Sequence, residues 1–171
     1  AFNIFFKVVD RYETYIDEEA MIPWLFIRRV NEGGYKISQD VTFNQYKNTA
    51  TTLNNKNNVS TTSPVIANIQ DIISAFYYAR TLDFTDAKEG QTYDVPFFLD
   101  DSVYTSKIVY QGKEVLTIGL GKFTCLKFKP MVATGNVFSD PYPMVFWITD
   151  DKNHLPVLVE SKILVGSVKL E

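Results

Sequence analysis

Residues 24–46 read Trp24-Leu-Phe-Ile-Arg-Arg-Val-Asn-Glu-Gly-Gly-Tyr35-Lys-Ile-Ser-Gln-Asp-Val-Thr-Phe-Asn-Gln-Tyr46. Two extended segments, 24–30 and 35–46, flank Asn31-Glu-Gly-Gly34. Glycine supplies the positive φ that a tight hairpin turn requires. In the second segment Tyr35, Ile37, Val41 and Phe43 alternate with Lys36, Ser38, Asp40, Thr42 and Asn44. A period of two marks a strand with one face packed and one face wet. The stretch is therefore an antiparallel hairpin, and it sets the fold class.

Working outward, strands are predicted over 91–98, 103–111, 114–119, 122–131, 143–149, 155–162 and 164–170. Turn signals separate them: Asp100-Asp101, Gln111-Gly112, Gly119 to Gly121, Ser139-Asp-Pro-Tyr-Pro143, and Asp150 to Asn153. Strands at this spacing predict a mainly β fold, a curved antiparallel sheet rolled into an open or closed β-barrel. Phe2, Phe5, Phe6 and Val9 recur at helical spacing, so 2–9 reads as a short helix running into a strand over 9–16, and Pro23 opens the next strand. One amphipathic helix is predicted over 69–81. Asn68 serves as its N-cap with Asp71 at N3, and Ile69, Ile72, Ile73, Phe76, Tyr77 and Arg80 form a stripe that packs on the sheet. Residues 47–63 hold only Leu53 and Val59 as large apolar side chains and read as a flexible polar loop.

The length of 171 residues fits a single domain over 1–171. Lys plus Arg is 17 and Asp plus Glu is 20, which leaves a net charge of −3. That balance argues against a nucleic-acid partner, which calls for a basic patch. The one adjacent basic pair, Arg28-Arg29, lies on a strand and so points to opposite faces. One Cys and one His exclude an internal disulfide, a CxxC motif and a Cys/His metal cluster, and no cofactor is implied. No apolar run approaches the roughly 20 residues of a membrane-spanning helix, so no transmembrane segment is expected in this chain. The opening Ala-Phe-Asn-Ile-Phe-Phe is apolar from the second residue and has no basic leader, as if cut from structured material.

The titratable singletons sit in unremarkable settings. His154 follows Asp150-Asp-Lys-Asn153, and no GxSxG elbow exists for it to serve, so it reads as a turn residue rather than a hydrolase base. Cys125 shares a strand face with Phe123 and reads as a core thiol. Asp100-Asp101 and Asp150-Asp151 lack the longer acidic loop that calcium needs and read as turn carboxylates. Arg80, near the helix stripe, and Glu160, in an apolar strand, would each need a partner if buried, as an ion pair or an anion site. The aromatics, 13 Phe, 10 Tyr and 2 Trp, exceed what a core of this size must have. They are first of all core, with Phe43, Phe76, Tyr77, Phe128 and Phe146 as candidates to line a site for an apolar ligand.

Several segments together resemble a family of Gram-negative envelope proteins catalogued as Domain of Unknown Function 3108. They are Val8-Val-Asp-Arg-Tyr-Glu-Thr-Tyr-Ile-Asp17, Arg28-Arg-Val-Asn-Glu-Gly-Gly-Tyr35, Ile69-Gln-Asp-Ile-Ile-Ser-Ala-Phe-Tyr-Tyr-Ala-Arg-Thr81 and Gly121-Lys-Phe-Thr-Cys-Leu-Lys-Phe-Lys-Pro130. Most characteristic is Val145-Phe-Trp-Ile-Thr-Asp-Asp-Lys-Asn-His-Leu-Pro-Val-Leu-Val-Glu-Ser-Lys162. The resemblance implies a mostly antiparallel β protein that is exported, to the periplasm or the outer membrane, with further family strands upstream of Ala1. It carries over no catalytic residue. The last hairpin also looks like that of the lipoprotein-localisation carriers, open barrels that hold acyl chains. The expected function is non-enzymatic binding of an apolar or lipid-like ligand, or of an envelope protein. The alternative is a structural module that pairs through an exposed edge strand, and a hydrolase is the least favoured reading.

Overall fold

A computed structural model describes residues 8–131, 144–162 and 167–170. The chain divides into two compact units, Ala1–Tyr78 with Pro96–Tyr104, and Ala79–Val95 with Thr105–Glu171. The fold is mainly β and antiparallel, as the hairpin predicts. Strands β1 (Arg11–Asp17), β2 (Ile22–Glu32), β3 (Tyr35–Asn44), β4 (Thr49–Asn54) and β5 (Val59–Pro64) form one sheet in sequence order. Strands β6 (Thr92–Leu99), β7 (Ser102–Ile118), β8 (Gly121–Met131), β9 (Met144–Thr149), β10 (Pro156–Lys162) and β11 (Ser167–Leu170) form the other, again in order. Both strand orders are open-ended, and no closed barrel is found among the described residues. The predicted helix over 2–9 falls outside them, except that Val8 bridges to Glu32 and Val9 donates to the Asn31 carbonyl.

The deciding hairpin is β2 and β3. Gly33 and Gly34 turn it with φ of 51° and 105°, and Val41 and Phe43 bury on the inner face. On β2 the buried residues are Pro23, Phe26 and Val30, which break strict alternation. A bulge explains the break: Tyr15 opposes Leu25 while Ile16 opposes Pro23, so Trp24 is the extra residue. One inserted residue reverses the phase and lets Pro23 and Phe26 share the core side. Arg28 and Arg29 part to opposite faces as expected, Arg28 to Asp100 at 2.8 Å and Arg29 to Asp40 at 2.6 Å.

Two expectations are corrected here. Residues 47–63 are not a loop but most of the hairpin β4 and β5. The threonines act as β-branched strand formers, with the Thr51 and Thr62 hydroxyls 2.9 Å apart across the pair. The asparagines make the turn instead: the Asn54 carbonyl accepts from Asn58 N–H at 2.8 Å, and Asn58 takes φ of 56°. The helix is also shorter than 69–81, spanning only α1 (Ser74–Ala79). Asn68 has φ of 57°, and Gln70 is extended, bridging in parallel to Phe97 and accepting from Phe98 N–H at 2.8 Å. The cap therefore lies at Asp71, three residues later than predicted.

The core of the first unit gathers Phe26, Val41, Phe43, Ala50, Ile69 and Phe98, with Val65, Ile72 and Ile73 packed against it. Phe43 meets Phe98 edge-on at 6.0 Å, a favoured aromatic geometry. In the second unit Phe84, Tyr110, Cys125, Leu126, Phe128, Trp147 and Ile148 are buried. Phe128 lies 4.7 Å from Phe84, 5.4 Å from Tyr110 and 5.5 Å from Phe146, ring centre to ring centre. The predicted break at Gln111-Gly112 is a bulge within one continuous β7, because Tyr110 opposes Phe128 and Lys113 opposes Leu126. Gly112 has φ of 97°, and a Cβ there would meet a Glu89 carboxylate oxygen at 2.6 Å. Gly112→Ala should lower stability by more than about 1 kcal/mol, read as a shift in the urea midpoint at unchanged slope.

Candidate functional site

An open cleft of about 500 Å³ lies in the first unit beside β1. Glu13, Thr14, Tyr15 and Ile16 of β1 line it, with Glu18 from the turn that follows, Ile73 just before α1 and Tyr77 within it. What holds α1 against β1 is a buried carboxyl. Asp71 Oδ1 accepts from the N–H groups of Ile73 at 2.7 Å and Ser74 at 2.8 Å, and Ser74 Oγ accepts from the Asp71 N–H at 2.8 Å. This is a reciprocal capping box. The second oxygen, Oδ2, accepts from the Thr14 hydroxyl at 2.5 Å. Asp71, Gln70 and Ser74 are all fully shielded from water.

Burial pushes the Asp71 carboxyl above its ordinary value, against the hydrogen bonds from Thr14, Ser74 and Ile73 that favour its charged form. Glu13 presents a second unusual oxygen. Its Oε1 accepts from Arg11 Nε at 2.8 Å, whereas Oε2 is cut off from water and has no hydrogen-bond partner among the described residues. The cleft is thus apolar on the Ile16, Ile73 and aromatic side, and its polar side carries Glu18 and a Glu13 that is ion-paired with Arg11.

Of the candidate ligand-lining residues, Tyr77 reaches this cleft. Phe76 is 67% exposed on α1, and Phe43 is buried in the core of the first unit. Phe128 is buried in the second unit, with Phe146 stacked on it. Arg80 and Glu160 both belong to the second unit: Arg80 Nε donates to the Asn153 carbonyl at 3.0 Å, and half-buried Glu160 lies on β10 opposite Val145. His154 is more than a bland turn residue. It has φ of 47°, its Nδ1 lies 2.8 Å from the Arg80 carbonyl, and its ring packs 5.1 Å from Phe84. Asp151 Oδ1 accepts from Thr149 Oγ1 and Asn153 N–H, and those bonds hold its carboxyl below the ordinary range. Cys125 is a buried thiol, as expected, and desolvation pushes its ionisation up.

Over residues 1–171 the chain matches the family described as protein of unknown function (DUF3108). The chain belongs to that family. No curated protein and no solved structure matches it. No helix among the described residues of this DUF3108 chain is long and apolar enough to cross a membrane. None of their His, Cys, Asp and Glu side chains gather in threes as a metal site would require.

The other cleft residues of the DUF3108 chain escaped sequence reasoning. One signal was present: Asp71 stands alone among Ile69, Ile72 and Ile73, and an acid embedded in an apolar stretch is a candidate for burial. Its titration gives a test. A carboxyl whose value is raised in the folded state holds its proton more tightly there than in the unfolded chain. Its contribution to stability is complete below about pH 4, the unfolded value, and is lost as pH rises through the raised folded value. Asp71→Asn keeps a capping oxygen and cannot ionise. Relative to the unaltered protein, the variant should therefore gain stability between pH 4 and pH 7, measured by urea unfolding at both. An equal difference at the two pH values would mean that the carboxyl ionises as freely folded as unfolded.

Proposed function

We propose that this protein is a non-enzymatic binding protein of the bacterial envelope, and that the cleft between β1 and α1 holds its ligand or partner. The observation that carries the reading is the cleft itself. It is an open groove of about 500 Å³, within the range of ligand-site volumes, and its lining mixes apolar and polar side chains. The envelope location follows from the likeness of the segments to exported proteins, and the protein would be periplasmic or attached to the outer membrane. A non-enzymatic role is supported by the settings of the reactive side chains. The Cys125 thiol is buried, and desolvation pushes its ionisation up, away from the reactive thiolate.

A lipid-like ligand held inside a rolled sheet, as in the carriers, has less support. Phe43 and Phe128, which would line such an interior, are 1% and 0% exposed and pack against other rings. The alternative of pairing through an edge strand is favoured by one observation: β1, which lines the cleft, is an end strand of its sheet.

Binding can be mapped by titrating isotope-labelled protein with dodecylphosphocholine below its micelle concentration and with short extended peptides. Amide shifts should concentrate at Thr14, Ile16 and Ile73 for whichever probe binds, and Glu18→Trp, an exposed turn position whose ring would occupy the cleft, should remove them while leaving the far-ultraviolet circular dichroism spectrum unchanged. Shifts confined to other surfaces, or binding untouched by Glu18→Trp, would refute the assignment of the site.

A further inference from the structure

Asp71 joins two elements with one carboxyl, and its oxygens do different work. Oδ1 accepts from the N–H groups of Ile73 at 2.7 Å and Ser74 at 2.8 Å, where α1 begins. That leaves Oδ2 as the oxygen on which a proton can sit. Its partner is the hydroxyl of Thr14, a cleft-lining residue of β1, at 2.5 Å. A hydroxyl can both donate and accept. With the carboxyl charged, Thr14 donates to Oδ2; with the carboxyl neutral, Oδ2 donates to Thr14. The bridge and the cap can be made in both states. What changes is the charge enclosed between α1 and β1.

No cation among the described residues offsets that charge. Asp71 is 0% exposed, and the groups acting on it are Thr14, Ile73 and Ser74, none of them charged. α1, Ser-Ala-Phe-Tyr-Tyr-Ala, carries no charged residue, and residues 65–73 leading into it carry none besides Asp71. The core that this segment joins is apolar. On the cleft side the charged residues are acids, Glu18 and a Glu13 already ion-paired with Arg11. A buried carboxylate without a cation is costly, and the cost is relieved when water reaches Oδ2. α1 is lightly held against such an opening. Ser74 is its buried residue, and Phe76 is largely exposed. Segments with few buried contacts open at lower free energy than the whole fold.

We infer that Asp71 and Thr14 form a proton-operated latch on the cleft. While the carboxyl is neutral α1 stays fastened to β1. As it becomes charged, a form with the cap open to water and α1 away from Thr14 gains population, and the cleft widens. The inference rests on the binding reading above and names its regulation: the cleft is tight in acid and loose toward neutrality.

Amide hydrogen exchange of the whole chain, followed residue by residue from pH 4 to pH 7, tests the latch without a ligand. The N–H groups of Ile73 and Ser74 are held by Oδ1 and exchange when the cap opens. Their protection, corrected for the intrinsic pH dependence of exchange, should lie below that of β3. It should fall as pH rises, about tenfold for each pH unit that separates the closed and open values of the carboxyl. Asp71→Asn should make it flat, which sets aside the titration of Glu13 and Glu18. Thr14→Ser keeps a hydroxyl and should retain the fall, whereas Thr14→Val should lower the protection at pH 4. In the unaltered chain the carboxyl carbon of Asp71 should titrate over the same range as the fall, a reading that needs no variant. Protection equal to that of β3 means that the cap opens only with the whole fold, and it overturns the inference. Protection independent of pH, a fall that persists in Asp71→Asn, or Thr14→Val behaving as the unaltered chain overturns it as well. Probe binding in the cleft with pH-independent protection overturns the latch and leaves the binding reading standing. The expected fall in a chain that binds neither dodecylphosphocholine nor peptide supports the latch and refutes the binding reading.

Discussion

A carboxyl group hidden from water holds α1 and β1 of the first unit together. Asp71 caps α1 with one oxygen and takes the Thr14 hydroxyl with the other. A helix of six residues cannot stand on its own propensity, because nucleation is unfavourable and only a few hydrogen bonds follow it. Here the reciprocal cap supplies the missing order at one end, and Ile72 and Ile73 fasten that end to the core. The Thr14 bond then fixes α1 beside β1, and the space between them is the cleft. Burial makes the charge expensive, so the hydrogen bonds to Asp71 are a condition of the arrangement rather than an addition to it.

Where the chemistry was local, it was legible in the sequence. The β2 and β3 hairpin could be read because two glycines and a period of two agree with each other. Turn signals placed most of the strands after residue 91 as well, except that Gln111-Gly112 is a bulge inside β7 and not a turn between two strands. The failures came where one residue type serves two ends. Thr resists helix and favours strand, but it also binds its own backbone in turns, and weighting the second property hid β4 and β5. In the 69–81 stretch the period of 3.6 was present, yet Ile69 belongs to the core and Gln70 pairs with Phe97, a residue far along the chain. A tertiary partner won over local periodicity, as it does whenever an apolar run is short enough to be either element.

The cleft was hidden for a different reason. Being at a sheet edge is a property of the strand order, which no window of sequence displays. Glu13, Thr14, Tyr15 and Ile16 look like any half-buried strand until β1 is known to be last. Tyr77 was singled out, but as one of many aromatics, and its reason for mattering is its position over β1 rather than its ring. Asp71 was noticed as a helix-start residue and not as a buried acid, because its burial comes from Thr14 and the core beneath it, neither of which is near it in sequence.

The aromatic excess resolves differently in the two units. In the second, Phe84 touches Tyr93, Phe128 and His154, and Phe128 touches Tyr110 and Phe146, so the rings satisfy one another. Aromatic pairs of this kind add stabilisation beyond their buried area. In the first unit the core rings are likewise paired, Phe43 with Phe98, while Tyr12, Tyr15, Tyr35, Tyr46, Phe76, Tyr77 and Tyr104 remain exposed. Tyr15 and Tyr77 line the cleft and Tyr12 belongs to the same edge strand. Exposed aromatics scattered in this way need no explanation of their own. A high aromatic count alone pointed to a filled interior or a hollow one. Among the described residues its distribution is mixed: Phe43, Phe98 and Phe128 are buried in cores, and other rings stand at the surface.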